Sequence, residues 1–405
     1  MTKSKAARWG AVTVFSLAST WNYLDRQVLA AAAPSVRAEF HLDNAQFGWV
    51  ISAFSIAYAL ASPATGWLLD WLGLEIGIVG TVAMWSVSSV LGGISRSFGQ
   101  LLGARVMLGA FESAGIPAAG KLNASYLEPE NRAIGAAMTQ VGLSLAGFAS
   151  VWLVAAMPGW RQPFFLCAAL GLVWIPVFLL VGRRVAPYEV VPPRRVSGGL
   201  ELLLDRRLQI LTVANMLWMG SYSLWTNWTS LYLTHTFSLT VRTVAPFAWI
   251  PYVTATLGAF AGGWISRQAI VRGMPNADAR VFGALVSAIG CLVILTVPFC
   301  RTPLPATLAI SVSSFWAVSG SVNLYTIPVD IWGAERAGTA ISALVFGYGL
   351  LQTGISPAIG WIVDRRGYDA VFLILAPLPL ASWWLLRNIC ASEPRIRDVS
   401  TLRIR

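Results

Sequence analysis

The chain has 405 residues, of which 56% are hydrophobic and only 12% charged, and its mean hydropathy is +0.64. Soluble domains carry about a quarter charged residues, so this composition excludes an ordinary water-soluble fold. The net charge of +11 would suggest a nucleic-acid partner in a soluble protein, but here its placement reads as membrane topology and no nucleic-acid role is needed.

In chain order, apolar runs approaching the ~20 residues that a membrane-crossing helix needs lie at 11–33, 46–69, 76–94, 98–120, 133–156, 163–182, 209–232, 244–266, 281–299, 303–328, 337–362 and 370–388. They are too long and continuous for the ~10-residue alternating strands of an outer-membrane barrel. The expectation is an all-α polytopic membrane protein with twelve transmembrane helices. Near the start, Ala30 to Ala33 offers the small residues of a signal-peptide cleavage site. Asp25-Arg26 interrupts the apolar region, however, so an uncleaved first helix is expected.

With the N-terminus in the cytoplasm, cytoplasmic segments hold 20 of the 29 Lys and Arg residues and outside loops hold 7; Arg26 and Arg105 fall inside helices. That asymmetry predicts both termini in the cytoplasm and, for a bacterial protein, a place in the inner membrane. The longest polar connection, Gly182 to Arg207, is rich in Arg and Pro (Arg183, Arg184, Pro187, Pro192, Pro193, Arg194, Arg195) and has no apolar period. It divides the chain into a six-helix bundle (1–182), a linker (183–207), a second six-helix bundle (208–390) and a tail (391–405). A Gly-Trp pair recurs at helix ends: Gly66-Trp67-Leu68-Leu69-Asp70, Gly263-Trp264-Ile265-Ser266-Arg267 and Gly360-Trp361-Ile362-Val363-Asp364. These are equivalent places if each half is two three-helix repeats, the nested duplication of major facilitator proteins, whose substrate site lies between the halves near the bilayer midplane. Common Gly-Trp usage at membrane interfaces would give the same pattern.

Charge inside a bilayer costs at least ~2.5–3.5 kcal/mol, so intramembrane ionisable residues are candidates for function. The first helix carries Asn22-Tyr23-Leu24-Asp25-Arg26 and the fourth carries Arg105 and Glu112. Arg105 and Glu112, seven residues apart, share a helix face, whereas Asp25 and Arg26 lie ~100° apart. If Arg26 faces a cavity, Asp25 turns toward a neighbouring helix. The four charges cancel, which suits either a structural network joining helices 1 and 4 or a coupling site. In the second reading a buried carboxylate takes a proton, an arginine is left with excess positive charge, and an anion binds it. Proton and anion then bind together. Asn22, Tyr23, Gln140, Asn227, Tyr252, Asn323, Tyr348 and Gln352 are the polar intramembrane side chains that could meet substrate hydroxyls or, equally, bond helix to helix.

Four segments resemble the anion:cation symporter family of the major facilitator superfamily. They are Asn22 to Arg26; Arg105-Val106-Met107-Leu108-Gly109-Ala110-Phe111-Glu112 with Pro117; Gly159-Trp160-Arg161-Gln162-Pro163-Phe164-Phe165 with Trp174; and Ile327-Pro328-Val329-Asp330 with Gly338-Thr339-Ala340. The resemblance spans nearly the whole chain. It implies a proton-coupled importer of a small organic anion, a sugar acid such as a hexuronate or hexonate, with no cofactor besides the coupling proton. By the same resemblance Arg26 is the carboxylate ligand, Asp25 and Glu112 are the protonation sites, and Arg105 partners a carboxylate. The chain departs from the family after helix 2, where Asp70 is followed by Trp71 and Leu74-Glu75 replace basic residues, and after helix 8, where Arg267 replaces Asp. It also has Val345 where the family commonly has an Asn that meets a sugar hydroxyl; Gln352, seven residues on, could substitute. Val345 favours a smaller or less hydroxylated monocarboxylate as the alternative substrate.

A proton-driven exporter of cationic compounds would need acidic groups without arginines beside them, the opposite of what helices 1 and 4 offer. No arrangement of catalytic residues supports an enzyme. His41 and His235 fall in expected outside loops, and Cys167, Cys291, Cys300 and Cys390 are scattered without metal or redox spacing. A monomer is expected.

Overall fold

The computed structural model describes residues 3–72, 74–127, 132–185 and 199–390, and among these every regular element is helical. Most of the linker expected at 183–207 and the whole tail at 391–405 lie outside the described residues. The first half comprises α1 (Lys3–Phe40), α2 (Asn44–Leu72), α3 (Leu74–Ile94), α4 (Phe98–Glu112), α5 (Gly115–Tyr126), α6 (Arg132–Ala156) and α7 (Gln162–Arg184). A short α8 (Gly199–Leu203) leads into the second half. That half holds α9 (Arg206–Phe237), α10 (Val241–Ala248), α11 (Ile250–Val271), α12 (Asn276–Cys291), a 3-10 segment (Leu292–Phe299), α13 (Pro303–Leu375) and α14 (Leu378–Cys390).

Three runs expected as single helices are broken, one of them that at 370–388, where Ala376 and Pro377 separate α13 from α14. The run at 98–120 divides between α4 and α5 because Pro117 has no N–H to give to the Ser113 carbonyl. The run at 244–266 divides at Trp249, with Pro251 opening the next helix. Conversely, α13 holds 73 residues and would be ~110 Å long if straight. It folds back instead: on α9 the Asn215 Nδ2 donates to the Leu344 carbonyl and, one turn on, the Trp218 Nε1 donates to the Ala317 carbonyl. A further reversal falls at Gly367, whose φ of +75° suits glycine alone at no cost.

Among the described residues, seven helical stretches are long and apolar enough to cross a membrane: Asn44–Ser62, Glu75–Ile94, Gln162–Arg184, Val241–Val271, Asn276–Phe299, Pro303–Trp332 and Thr339–Arg387. Outside that set lie α1 and α9, which carry the polar residues Asn22, Asp25, Arg26, Asn215 and Asn227, the short α4 and α5, and α6, whose apolar part is Val141–Ala156. Many side chains on the outside of the bundle are large and apolar, among them Leu60, Phe260, Val271 and Phe299, as expected of a surface that faces lipid.

Both halves use glycine to bring equivalent helices into backbone contact. A Cβ at Gly109 on α4 would strike the Phe54 carbonyl of α2, and one at Gly258 on α11 would strike the Phe315 carbonyl of α13. Contacts across the halves lie toward the end that holds the α1–α2 turn. There Tyr252 Oη donates to Gln27 Oε1 (2.8 Å), Thr256 Oγ1 to Ser144 Oγ (2.5 Å) and Ser52 Oγ to the Thr353 carbonyl (2.8 Å). At the same end Glu39 ties α1 to α7, accepting from Trp160 Nε1 and Arg161 Nη1 at 2.6 Å each. These bonds, from Arg161 first, hold the Glu39 carboxyl below its ordinary range.

The close approach at Gly109 predicts that Gly109→Ala lowers the thermal midpoint of the detergent-purified protein, with an overpacking cost of ~1–3 kcal/mol. Gly103→Ala, one to two turns earlier on α4 where a Cβ meets open space, should leave the midpoint in place. Equal effects at the two sites would contradict the packing described.

Candidate functional site

Midway along α1, four polar residues fan around the helix at ~100° steps. Asn22 and Arg26, one turn apart, share a face, and Arg26 Nη2 donates to Asn22 Oδ1 at 2.9 Å. Across the gap to α4, Arg26 Nε donates to Glu112 Oε2 at 2.7 Å. The Glu112 side chain is wholly buried, while Arg26 keeps 20% of its surface exposed. The rings of Tyr23, Phe54 and Tyr58 stand 4.6–4.9 Å from the Arg26 guanidinium, a cation–π enclosure that fixes its plane.

Asp25 turns the other way, as the helical angle requires. It is fully buried and accepts from Ser89 Oγ on α3 at 2.7 Å, with the Cys167 thiol of α7 beside it. Arg105 lies over the Phe54 ring at 4.8 Å. The shared face of Arg105 and Glu112 suggested their pairing, yet the ion pair to Glu112 comes from Arg26. Arg105 Nε and Nη1, Glu112 Oε1 and Asn22 Nδ2 are buried with no hydrogen-bond partner among the described residues.

Glu112 is the last residue of α4, with Ser113 as its C-cap. Helix C-termini concentrate partial negative charge, so this position opposes a carboxylate as burial does. Arg26 supplies the offset. With both acids ionised the four charged groups are neutral; one proton on either acid leaves the group at +1.

The remaining sequence candidates divide. Tyr348 on α13 meets the Tyr222 ring of α9 edge-on (centroids 6.5 Å apart), and both, with Tyr325, lie within electrostatic range of Tyr23. Gln352 is buried at the junction of halves, where its carbonyl accepts from Ser52, and its Oε1 has no partner among the described residues. Asn323 packs α13 on α11, donating to the carbonyls of Gly262 and Ser319. Asn227 turns back on its own helix, donating to the Ser223 carbonyl and Thr226 Oγ1, and Tyr252 joins the halves at Gln27. The Gln140 side chain lies outside the described residues. Phe54, Tyr58, Ser89, Tyr222 and Tyr325 were not among the candidates. The i, i+4 spacing of Phe54 and Tyr58 on α2 was a usable signal, but aromatic residues at helical spacing ordinarily read as core.

The chain is similar to known transporters along nearly its whole length. The chain is 24% identical over 429 aligned positions to the hexuronate transporter of Escherichia coli (strain K12), covering 98% of this chain and 97% of that protein. It is 26% identical over 378 positions to a probable sulfoacetate transporter of Cupriavidus necator, covering 88% and 87%. Among solved structures it is similar in fold to a bacterial homologue of the human lysosomal transporter Spinster in an inward-facing, unoccupied conformation, with TM-score 0.73, 18% identity, and 95% and 96% of the two chains covered. The profile of the Major Facilitator Superfamily matches residues 15–355, and the chain belongs to that family of membrane transporters.

Proposed function

We propose that the protein is a proton-coupled symporter that imports a small organic anion, a sugar acid of the hexuronate or hexonate type, through a monomeric bundle of twelve membrane passes with both termini in the cytoplasm. The observation that carries this reading is the Arg26–Glu112 ion pair at 2.7 Å, with Glu112 wholly buried. Arg26 is the charged group that keeps 20% exposure, so it is the one an anion can reach. Its Nε is engaged by Glu112 in the described state. A proton on Glu112 weakens that bond and frees the guanidinium edge for a substrate carboxylate, which it grips through two parallel hydrogen bonds. Anion and proton therefore break the same ion pair from opposite sides and enter together.

Tyr222, Tyr325, Tyr348 and Gln352 of the second half would meet the body of the substrate. The hexuronate transporter among the relatives supports a sugar acid. Val345, in place of a hydrogen-bonding side chain, and the sulfoacetate relative support the second reading, a smaller and less hydroxylated anion.

In proteoliposomes, uptake of the right anion should rise with an inward proton gradient and collapse with a protonophore; uptake driven by sodium alone at fixed pH would contradict proton coupling. Arg26→Ala should reduce hexuronate affinity about 100-fold or more, the loss of two charge-assisted hydrogen bonds, and Arg26→Lys should restore little of it. Unchanged affinity would remove Arg26 from the site. Glu112→Gln has the shape of the protonated acid and cannot release a proton. Counterflow exchange should persist in that variant while uphill accumulation fails. Loss of both activities would make the Arg26–Glu112 pair structural, and retention of both would move the coupling role to Asp25.

A further inference from the structure

The third Gly-Trp segment ends in Asp364, a residue that the transport reading leaves unused. The N-terminus of α2 presents N–H groups with no partner inside the helix. One of them is served locally: Asp43 accepts from the Gln46 N–H at 2.6 Å, and Gln46 Oε1 accepts from the Asp43 N–H at 3.0 Å, a reciprocal cap. Two more are served from the other half of the molecule. Asp364 on α13 accepts from the N–H groups of Asn44 (3.2 Å) and Ala45 (3.0 Å), and from Asn44 Nδ2 at 2.6 Å. The α2 terminus is thus fully capped only while the two halves meet at this end.

The backbones are shaped for it. Gly360 lies one turn before Asp364 on the same face of α13, and a Cβ there would strike the Asn44 carbonyl. Deeper in the interface, Ser52 Oγ bonds the Thr353 carbonyl of the same helix. The carboxylate also sits where the α2 dipole favours negative charge.

We propose that Asp364 is a latch that holds closed the end of the bundle bearing the α1–α2 turn, by capping α2 from the opposite half. Opening that end separates Asp364 from all three donors at once. The inference goes beyond the substrate reading, and its readout needs no substrate.

The test places nitroxide labels at Arg96→Cys and Arg301→Cys, exposed positions in the α3–α4 turn and before α13 at the same end, in a Cys300→Ser, Cys390→Ser background. Distances are measured by pulsed electron spin resonance in lipid nanodiscs. The unmodified latch should give mainly the short distance. Asp364→Ala should raise the ratio of long to short populations roughly tenfold, the effect of losing a helix cap. Asp364→Asn, which keeps one acceptor and loses the charge, should fall between. Gly360→Val should move the ratio in the same direction by wedging the helices apart. A distance distribution unchanged in Asp364→Ala would overturn the proposal, and so would an unchanged distribution accompanied by a lower thermal midpoint, since the cap would then stabilise α2 without holding the halves.

Discussion

The arrangement in this molecule depends on one energetic constraint: a carboxylate at the end of α4, wholly buried, needs a cation or a proton. Arg26 meets that need across the gap from α1, and its other contacts follow. Asn22, one turn back, takes Nη2, and Tyr23, Phe54 and Tyr58 hold the plane of the guanidinium. Even the glycine at 109 belongs to this set, because the close approach of α4 to α2 that it permits is made on Phe54 itself, whose ring lies against both Arg26 and Arg105. Substituting any one of these would change where the charge sits.

The two halves differ in the chemistry they bring. The intramembrane charges described here, Asp25, Arg26, Arg105 and Glu112, belong to the first half, which also holds the aromatic enclosure of Arg26. The second half brings hydroxyls and amides: Tyr222, Tyr325, Tyr348 and Gln352. Charge binds an anion of any shape, whereas the placement of hydroxyls distinguishes one anion from another. On the proposed reading coupling and selectivity belong to different bundles, and Val345 or Gln352 could change with the substrate without disturbing the ion pair. The polarity has a visible consequence, since α1 and α9 are long enough to cross a membrane and yet fall outside the set of apolar stretches.

Much of this was legible in the sequence because membrane burial makes charge expensive: Asp25, Arg26, Arg105 and Glu112 stand out as soon as the apolar runs are drawn. The opposite directions of Asp25 and Arg26 follow from helical angle alone. The partner of Glu112 did not, because spacing within one helix says which residues share a face and nothing about which helix lies opposite. The break at Ser113 was written in Pro117, but a single proline inside an apolar run is compatible with a kinked helix, and only the C-cap settles that Glu112 ends α4. Asn323 and Asn227 show the limit of reading polar side chains: one bonds a neighbouring helix and the other its own, and their types are the same. The pairing of Asp364 with α2 joins residues 320 apart in sequence and has no local signal at all.

If the protein couples an anion to a proton as proposed, the position of Glu112 bears on why a shared guanidinium would make a tighter coupling device than two separate sites. If proton and anion bound independent groups, linkage between them would have to pass through a change of shape, and it would be limited by how far the two states differ. In the proposed cycle Arg26 Nε either engages Glu112 or is free for an anion, so the linkage would be direct and reciprocal: whatever factor a proton adds to anion affinity, the anion adds to proton affinity. The helix end strengthens the exchange. With Arg26 drawn away by substrate, Glu112 would face both burial and the negative end of α4 without compensation, and a proton is the least costly remedy. On that reading an anion on Arg26 would call a proton onto Glu112, and loading one without the other would leave a buried charge unpaired.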